Sequence, residues 1–146
     1  MEKGKYHGFY QYDDKKHEKL REFDKTYFTI EITNSNGKQF NGWVEDDILT
    51  GGMEGKGAIS GEIKQNRIYF VKQMPYQGLF LKDTIAEKYQ LEIDKTRKHP
   101  PVYYEGNAIN TNNYKGKWNF RFYNHLVNII IGAYVHKSPN TKLLKL

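Results

Sequence analysis

The chain has 146 residues, the usual size of one domain, and is long enough to bury a core without covalent crosslinks. It contains no cysteine, which excludes disulfide bonds and thiolate chemistry. No apolar run approaches the length of a membrane span, and the first residues lack the apolar stretch of a secretory leader, so the sequence favours a cytoplasmic protein. The net charge of +6 permits an anionic partner but does not select one.

Short runs of alternating polar and apolar residues follow one another along the chain, and helical periodicity of useful length is nearly absent. This alternation is typical of β-strands, so we predict a single all-β domain over residues 1–146. Segment 13–24 fits a short helix or a charged lid, and segment 75–87 fits a further strand or a partly buried loop. Strands are predicted at 4–12, 27–33, 39–45, 57–64, 67–73, 88–94, 102–109, 114–122 and 129–137.

Five times in the chain an aromatic residue is followed two positions later by glycine. Residues two apart in a strand point to the same face, so each pair sets a ring beside a position without a side chain. That arrangement is typical of a strongly curved sheet. The pairs are Tyr6 and Gly8, Phe40 and Gly42, Tyr76 and Gly78, Tyr104 and Gly106, and Tyr114 and Gly116.

The parity of apolar positions also predicts how neighbouring strands pair. A short loop at 110–112 joins two of the predicted strands. Pairing through this loop sets Tyr104 opposite Trp118 and Gly106 opposite Gly116, all on the inner face. The two strands should therefore approach closely at the glycines.

The hairpin between the second and third predicted strands must pair even positions with even positions, because the apolar residues of both strands are even-numbered. A three-residue loop at 35–37, with Gly37 in the left-handed conformation, satisfies this condition. It predicts that Ile32 lies opposite Phe40.

Antiparallel strands joined by short hairpins most economically form an up-and-down barrel, because closure removes exposed sheet edges. We predict an antiparallel up-and-down β-barrel of about eight to ten strands, with a two-layer antiparallel β-sandwich as the alternative. The succession of hairpins with inward aromatic residues, Tyr104 and Trp118 among them, resembles the calycin group, which includes lipocalins, fatty-acid-binding proteins and avidins. The resemblance implies this topology, and no site residue is taken from it.

The most regular inward face is predicted on the strand at 114–122. Such a face can line a ligand cavity, or it can be part of a plain packed core. We predict a non-enzymatic barrel that binds a small, partly aromatic or hydrophobic ligand in its interior, since inward tyrosines suit a flat, partly polar molecule. The predicted cavity wall consists of Tyr89, Tyr104, Trp118 and Phe120.

A second hypothesis is the binding of single-stranded nucleic acid. The outward row on the same strand contains Lys115, Lys117 and Arg121, followed by Tyr123, and cations beside a stacking ring are one way to hold such a strand. Lysines on the solvated face of a strand also protect against edge pairing. Most of the aromatic residues are predicted on the opposite face, so the sequence favours the small-ligand hypothesis.

A small barrel enzyme with its active site at the barrel mouth is the third alternative. The five histidines show no metal-ligand spacing, although barrel closure would bring His7 close to His136. The carboxylate pairs at 13–14 and 46–47 each end a predicted strand, where such residues usually hydrogen-bond their own backbone. We predict no catalytic residue, no metal ligand and no cofactor.

The segment 129–131 is apolar on both faces, unlike the other predicted strands. Either the tail, which contains Leu143 and Leu144, covers its outer side, or a second copy of the chain does. The sequence therefore leaves a homo-oligomer open as a partner arrangement.

Overall fold

The structure is a computed structural model and describes residues 1–11, 23–83, 88–110, 113–122, 125–127 and 133–137. For 78–83, 88–92, 120–122, 125–127 and 133–137 it describes the backbone. The elements are β1 (Gly4–Tyr10), β2 (Thr26–Ser35), β3 (Gln39–Asp46), a 3-10 turn (Ile48–Thr50), β4 (Lys56–Lys64), β5 (Arg67–Gln73), β6 (Gln77–Asp83), β7 (Lys88–Asp94), β8 (Val102–Asn110), β9 (Asn113–Phe122), β10 (His125–Val127) and β11 (Ala133–Lys137). The predicted all-β class is confirmed.

Nine of these strands form one curled antiparallel sheet in the order β10-β9-β11-β1-β2-β3-β4-β5-β8, and β8 also pairs with β9. Strands β6 and β7 pair only with each other, as a hairpin outside that sheet. The sequence allowed either a strand or a loop in segment 75–87, and the structure has strand β6 there. Most of segment 13–24 lies outside the described residues.

One face of the curled sheet carries the core. Inward positions are even-numbered in β1, β2, β3, β5, β8 and β9 and odd-numbered in β4, as the period of two requires. The buried apolar residues are Met1, Tyr6, Tyr10, Phe28, Ile30, Ile32, Phe40, Val44, Ile59, Ile68, Phe70, Met74, Val102, Tyr104, Tyr114 and Trp118.

The predicted three-residue loop at 35–37 is wrong. The backbone N–H of Asn36 donates to the carbonyl oxygen of Gln39 over 3.1 Å, so the loop has two residues, Gly37 and Lys38, and the φ of 85° at Gly37 is left-handed. This turn pairs even with odd positions, and an irregularity between Ile32 and Asn34 then restores even pairing. As a result Ile32 lies opposite Gly42 instead of Phe40.

The connections between strands differ in length at the two ends of the sheet. Short connections join β2 to β3, β4 to β5 and β8 to β9 at one end. The strand ends that bound the longer connections 11–25, 47–55 and 74–101 lie at the opposite end, which we call the long-loop end. Binding sites are commonly formed by loops held on a rigid sheet, which makes this end the favoured place for one. No helix in the described part of the chain is long and apolar enough to span a membrane.

Candidate functional site

A continuous layer of aromatic rings crosses the inner face of the sheet. The ring of Tyr10 meets that of Trp118 edge-on, with centroids 5.6 Å apart, and Trp118 lies 6.4 Å from Tyr104. Tyr104 stacks on Phe70 with centroids 4.3 Å apart and planes 7° from parallel. Phe70 in turn lies 6.3 Å from Phe40. Each such ring contact stabilises the fold by about 0.5–1.5 kcal/mol in addition to the effect of burying apolar surface, so the rings hold one another in place.

Two of the four predicted wall residues meet in this layer. Tyr104 and Trp118 face each other across β8 and β9, and Gly106 faces Gly116, as the parity argument predicts. The backbone of Phe120 lies opposite Val102, two residues further along β9 toward the long-loop end. The side chain of Phe120 lies outside the described part.

Tyr89, the fourth predicted wall residue, lies on β7. Its backbone pairs with that of Lys82 in the β6–β7 hairpin, so it belongs to a different sheet from the other three. Its side chain is not among the described ones. The hairpin is inserted between β5 and β8, in the connection 74–101 at the long-loop end.

The space beside the ring layer is small where the described side chains enclose it. A void of about 10 Å³ lies next to Phe70, Tyr104 and the glycine pair, which is close to the space that one water molecule needs. Beside these residues the described side chains therefore leave room for no more than about one water molecule. Tyr10, the last residue of β1, is the member of the ring layer that lies toward the long-loop end.

A buried ion pair is the most unusual feature of the inner face. The ammonium nitrogen of Lys72 lies 2.5 Å from both carboxylate oxygens of Asp46, and their side chains are 3% and 0% exposed. Asp46 also accepts the backbone N–H of Met53 over 3.3 Å. The ring of Tyr10 lies 5.4 Å from the Lys72 nitrogen, within range of a cation–π contact. The pair thus joins the aromatic layer to the long-loop end.

The sequence hypothesis did not include this pair, because it assigned Asp46 to a turn. Asp47 is the turn residue: its carboxylate accepts the backbone N–H of Leu49 over 3.0 Å and caps the 3-10 turn. Asp46 and Lys72 instead occupy inward positions of β3 and β5. The sequence does carry a signal for a buried charge, because Lys72 has the inward parity of its neighbours Phe70 and Met74.

Burial lowers the pKa of Lys72 from its usual value, while the nearby Asp46 carboxylate acts in the opposite direction. His99 is half-buried at the same end. Burial lowers its pKa too, and the neighbouring Lys72 ammonium adds to the effect, whereas the bond from its Nδ1 to the Pro100 carbonyl, 2.7 Å long, opposes it. Three titratable groups therefore meet under the long-loop end.

The lowered pKa of His99 predicts a pH-dependent stability. Below pH 6.5 the unfolded chain takes up a proton that the folded His99 resists, so its contribution is fully present above pH 6.5 and is lost as the pH falls through the folded-state pKa. The charged groups that face it are Lys72 and Asp46. Urea unfolding of the wild type and of His99→Gln, above and well below pH 6.5, should show a smaller loss at low pH for the variant. A loss equal to that of the wild type contradicts this prediction, and His7→Gln, on the exposed outer face, is the control.

The outer face carries charges of both signs. Lys115 and Lys117 are exposed as predicted, but Lys117 pairs across the strands with Glu105, whose carboxylate lies 3.9 Å from the guanidinium of Arg67. The backbone of Arg121 lies opposite Leu126. The side chain of Arg121 and all of Tyr123 lie outside the described part. Where the structure describes it, the predicted basic row is therefore not continuous, because Glu105 lies beside Lys117.

The terminal strands bring two histidines together. In the strand register His7 on β1 lies directly opposite His136 on β11. The Nδ1 atom of His7 lies 3.1 Å from the hydroxyl of Thr29. In the part of the chain described by the structure, no three histidine, aspartate or glutamate side chains converge to hold a metal ion. The carboxylate pair at 13–14 and the apolar segment 129–131 with the tail lie outside that part.

Comparison of the chain with protein-family models, with curated proteins and with solved structures found no match. The function must therefore be argued from the chemistry of the inner site and of the outer surfaces. At the inner site the relevant groups are the aromatic layer, the buried ammonium of Lys72 with the carboxylate of Asp46, and the half-buried imidazole of His99.

Proposed function

We propose that this protein is a non-enzymatic, calycin-like β-barrel of eight strands that binds a small, partly aromatic ligand at its long-loop end. The pairings support closure: β11 pairs with β1 on one side and with β9 on the other, and β9 pairs with β8. These pairings support a ring in which β9 and β11 connect β8 back to β1. The proposed wall consists of β1, β2, β3, β4, β5, β8, β9 and β11.

The observation that carries the binding function is the buried pair of Asp46 and Lys72. Replacing a buried ion pair by well-packed apolar residues is often neutral or stabilising, so such a pair is weak support for a purely structural role. A ligand site, by contrast, needs a few fixed polar groups in an apolar surface to orient its ligand. The pair supplies these groups directly beside Tyr10.

The same contacts indicate what kind of ligand fits. An anionic group can accept a hydrogen bond from Lys72 in competition with Asp46, and a flat ring can contact the buried rings of Tyr10 and Trp118, when the long-loop end opens to admit the ligand. Phe120 and Tyr89 remain proposed wall residues, since one lies beyond Trp118 on β9 and the other on the hairpin at that end. A small aromatic carboxylate or sulfonate meets these requirements.

Tryptophan fluorescence offers a direct test, because the chain has only two tryptophans and they differ in exposure. Trp43 is 45% exposed on the outer face, and Trp118 is 3% exposed. The Trp43→Phe variant should therefore emit at short wavelength and resist quenching by acrylamide. In this background anilinonaphthalenesulfonate and indole-3-carboxylate should change the Trp118 emission, and neutral indole should do so more weakly.

The control removes the charges while keeping the volume. In the double variant Asp46→Leu with Lys72→Met, the anionic probes should bind at least about tenfold more weakly, which corresponds to one lost charged hydrogen bond. Lys117→Met, a change on the outer face, should leave binding unaltered. Native mass spectrometry of the purified wild type should in addition show a retained small molecule. No retained molecule together with no response of Trp118 to either probe overturns the proposal.

The two alternatives have weaker support. The nucleic-acid hypothesis relies on Lys115 and Lys117, and the adjacent Glu105 reduces the positive potential that phosphates require. The enzyme hypothesis relies on the same buried groups as the ligand site. Asp46 is already paired with Lys72 there, so it is not an unpaired acid or base. Neither has an observation of its own.

A further inference from the structure

The outer face of the sheet carries an elongated groove that the inner site does not use. One depression of about 610 Å³ lies over β2, β3 and β4 and is lined among others by Asn34, Gln39 and Asn41. A second, of about 400 Å³, lies over β4, β5, β8 and β9. Both are lined by residues 60–62, so the two depressions adjoin. We call the combined surface the outer groove.

The strand register places one row of side chains along this groove. Consecutive pairings across six strands connect its members, and at about 4.8 Å per strand the row spans about 24 Å. In order across the sheet the row is Asn34, Asn41, Ser60, Val71, Tyr103 and Asn119. A site of this length, which follows the curve of the sheet across six strands, suits a ligand made of several units that can curve with it.

The end of the row on β2 and β3 is rich in amides. The side-chain amide nitrogen of Asn34 donates to the side-chain oxygen Oδ1 of Asn41 over 3.0 Å. This bond holds the two side chains in place and still leaves each amide group further donor and acceptor capacity. Gln39 and Ser60 line the same depression. Planar amides next to hydroxyls, each both donor and acceptor, match a ligand whose own groups are hydroxyls.

The other end of the row offers rings. Tyr69 and Tyr103 are both partly buried and line the second depression together with Val71. The guanidinium of Arg67 lies over one face of the Tyr69 ring, 5.3 Å from its centroid. The face of a tyrosine ring is an apolar platform, and its hydroxyl is a donor and an acceptor. A ligand that alternates apolar C–H faces with hydroxyl groups can use both properties.

The charges in the groove are few and largely balanced. Glu62 lies 2.6 Å from Lys64, and Glu105 lies 3.9 Å from Arg67. Lys3 is the lysine that lines the first depression. A phosphate backbone needs an excess of cations along its path, which this lining lacks. A peptide would seek an unpaired strand edge, whereas these positions lie on the face of a paired sheet.

We propose that the outer groove binds a neutral oligosaccharide chain. The amide end holds its hydroxyl groups, and the tyrosine end contacts the C–H faces of its rings. The row differs from the inner site, because its six residues point to the opposite face of the same strands.

The test uses the full chain, labelled with ¹⁵N and titrated with the soluble hexasaccharides of glucose, mannose, xylose and N-acetylglucosamine. At least one of them should shift the amide signals of the row, with the largest changes on β3, β4 and β8. Asn41→Ala, an exposed position, and Tyr103→Ala should each weaken that binding by about tenfold, the equivalent of one hydrogen bond or one ring contact. Tyr103→Phe should restore most of it.

Tyr27→Ala is the matched control, since Tyr27 is a half-exposed tyrosine on the outer face but outside the groove. It should leave saccharide binding unchanged, as should the double variant Asp46→Leu with Lys72→Met. Failure of all four saccharides to shift any signal overturns the inference. So do shifts confined to residues outside the groove, or tighter binding of an oligothymidylate or an unstructured peptide at the same residues.

Discussion

Replacing Asp46 by leucine is expected to destabilise the protein by about 3–5 kcal/mol, because the ammonium group of Lys72 then stays buried without its counter-charge. The Lys72 side chain is 3% exposed, so water cannot replace the lost carboxylate without opening the inner face. Urea unfolding of the wild type and of Asp46→Leu, followed by far-ultraviolet circular dichroism, measures the difference directly. A change of less than about 1 kcal/mol contradicts the buried pair.

The double variant Asp46→Leu with Lys72→Met should regain most of that stability, since the two apolar side chains fill similar space without a charge. The exposed pair of Glu62 and Lys64 provides the contrast. Its atoms lie 2.6 Å apart, but the side chains are 39% and 68% exposed, so Glu62→Gln should leave the unfolding midpoint nearly unchanged. A double variant as unstable as the single one means that the pair itself stabilises the fold.

These outcomes also bear on function. A double variant that is as stable as the wild type but no longer binds an aromatic anion separates the two roles of the pair. The charges then contribute to recognition and not to folding. This result is the one that the proposed ligand site predicts, because a purely structural pair would not need to lie beside Tyr10 at the end with the long connections.

The strand arrangement was predictable wherever parity alone decides it. Tyr104 faces Trp118 and Gly106 faces Gly116 because the strand period is two and the connecting loop is short. The turn at 65–66 obeys the same rule: it sets Ile63 opposite Ile68, and the φ of 57° at Gln65 fits a tight two-residue turn.

The hairpin after β2 could not be predicted, because two solutions satisfy the same parity. A three-residue loop and a tight turn followed by a bulge both return even positions to the inner face. The structure has the second, and Asn36 favours it: its side-chain oxygen accepts the backbone N–H groups of Lys38 and Gln39, over 3.0 Å and 2.7 Å. Such an Asx turn competes locally with a longer loop.

The inner ion pair was missed for a different reason. Adjacent aspartates at 46–47 suggest a turn, and Asp47 does form one. Asp46 and Lys72 are 26 positions apart and lie on β3 and β5, the two strands that flank β4 in the sheet. Their contact therefore depends on the order of the strands. Parity places Lys72 inward, but only the curvature of the sheet brings it to Asp46. The outer groove is likewise a property of several strands together.

Gly116→Ala is expected to destabilise the fold by about 3 kcal/mol, the upper part of the range for overpacked sites. A Cβ atom at Gly116 would lie 2.0 Å from the carbonyl oxygen of Glu105 and 2.6 Å from the Cα atom of Gly106. Both are backbone atoms of β8, so no side chain can move aside, and the two strands must separate. Thermal unfolding, compared with the wild type, measures the loss.

Gly37→Asn is the control, because it separates loss of glycine from loss of space. Nothing lies within 4 Å of a Cβ atom at Gly37, and its φ of 85° is a conformation that asparagine adopts more readily than other residues with a side chain. This variant should cost well under the value for Gly116→Ala. If both variants unfold at the same temperature, β8 and β9 do not approach at Gly106 and Gly116 as closely as described. If only Gly116→Ala is unstable, the absence of a side chain at Gly116 is what allows β8 and β9 to approach closely beside the ring of Tyr114.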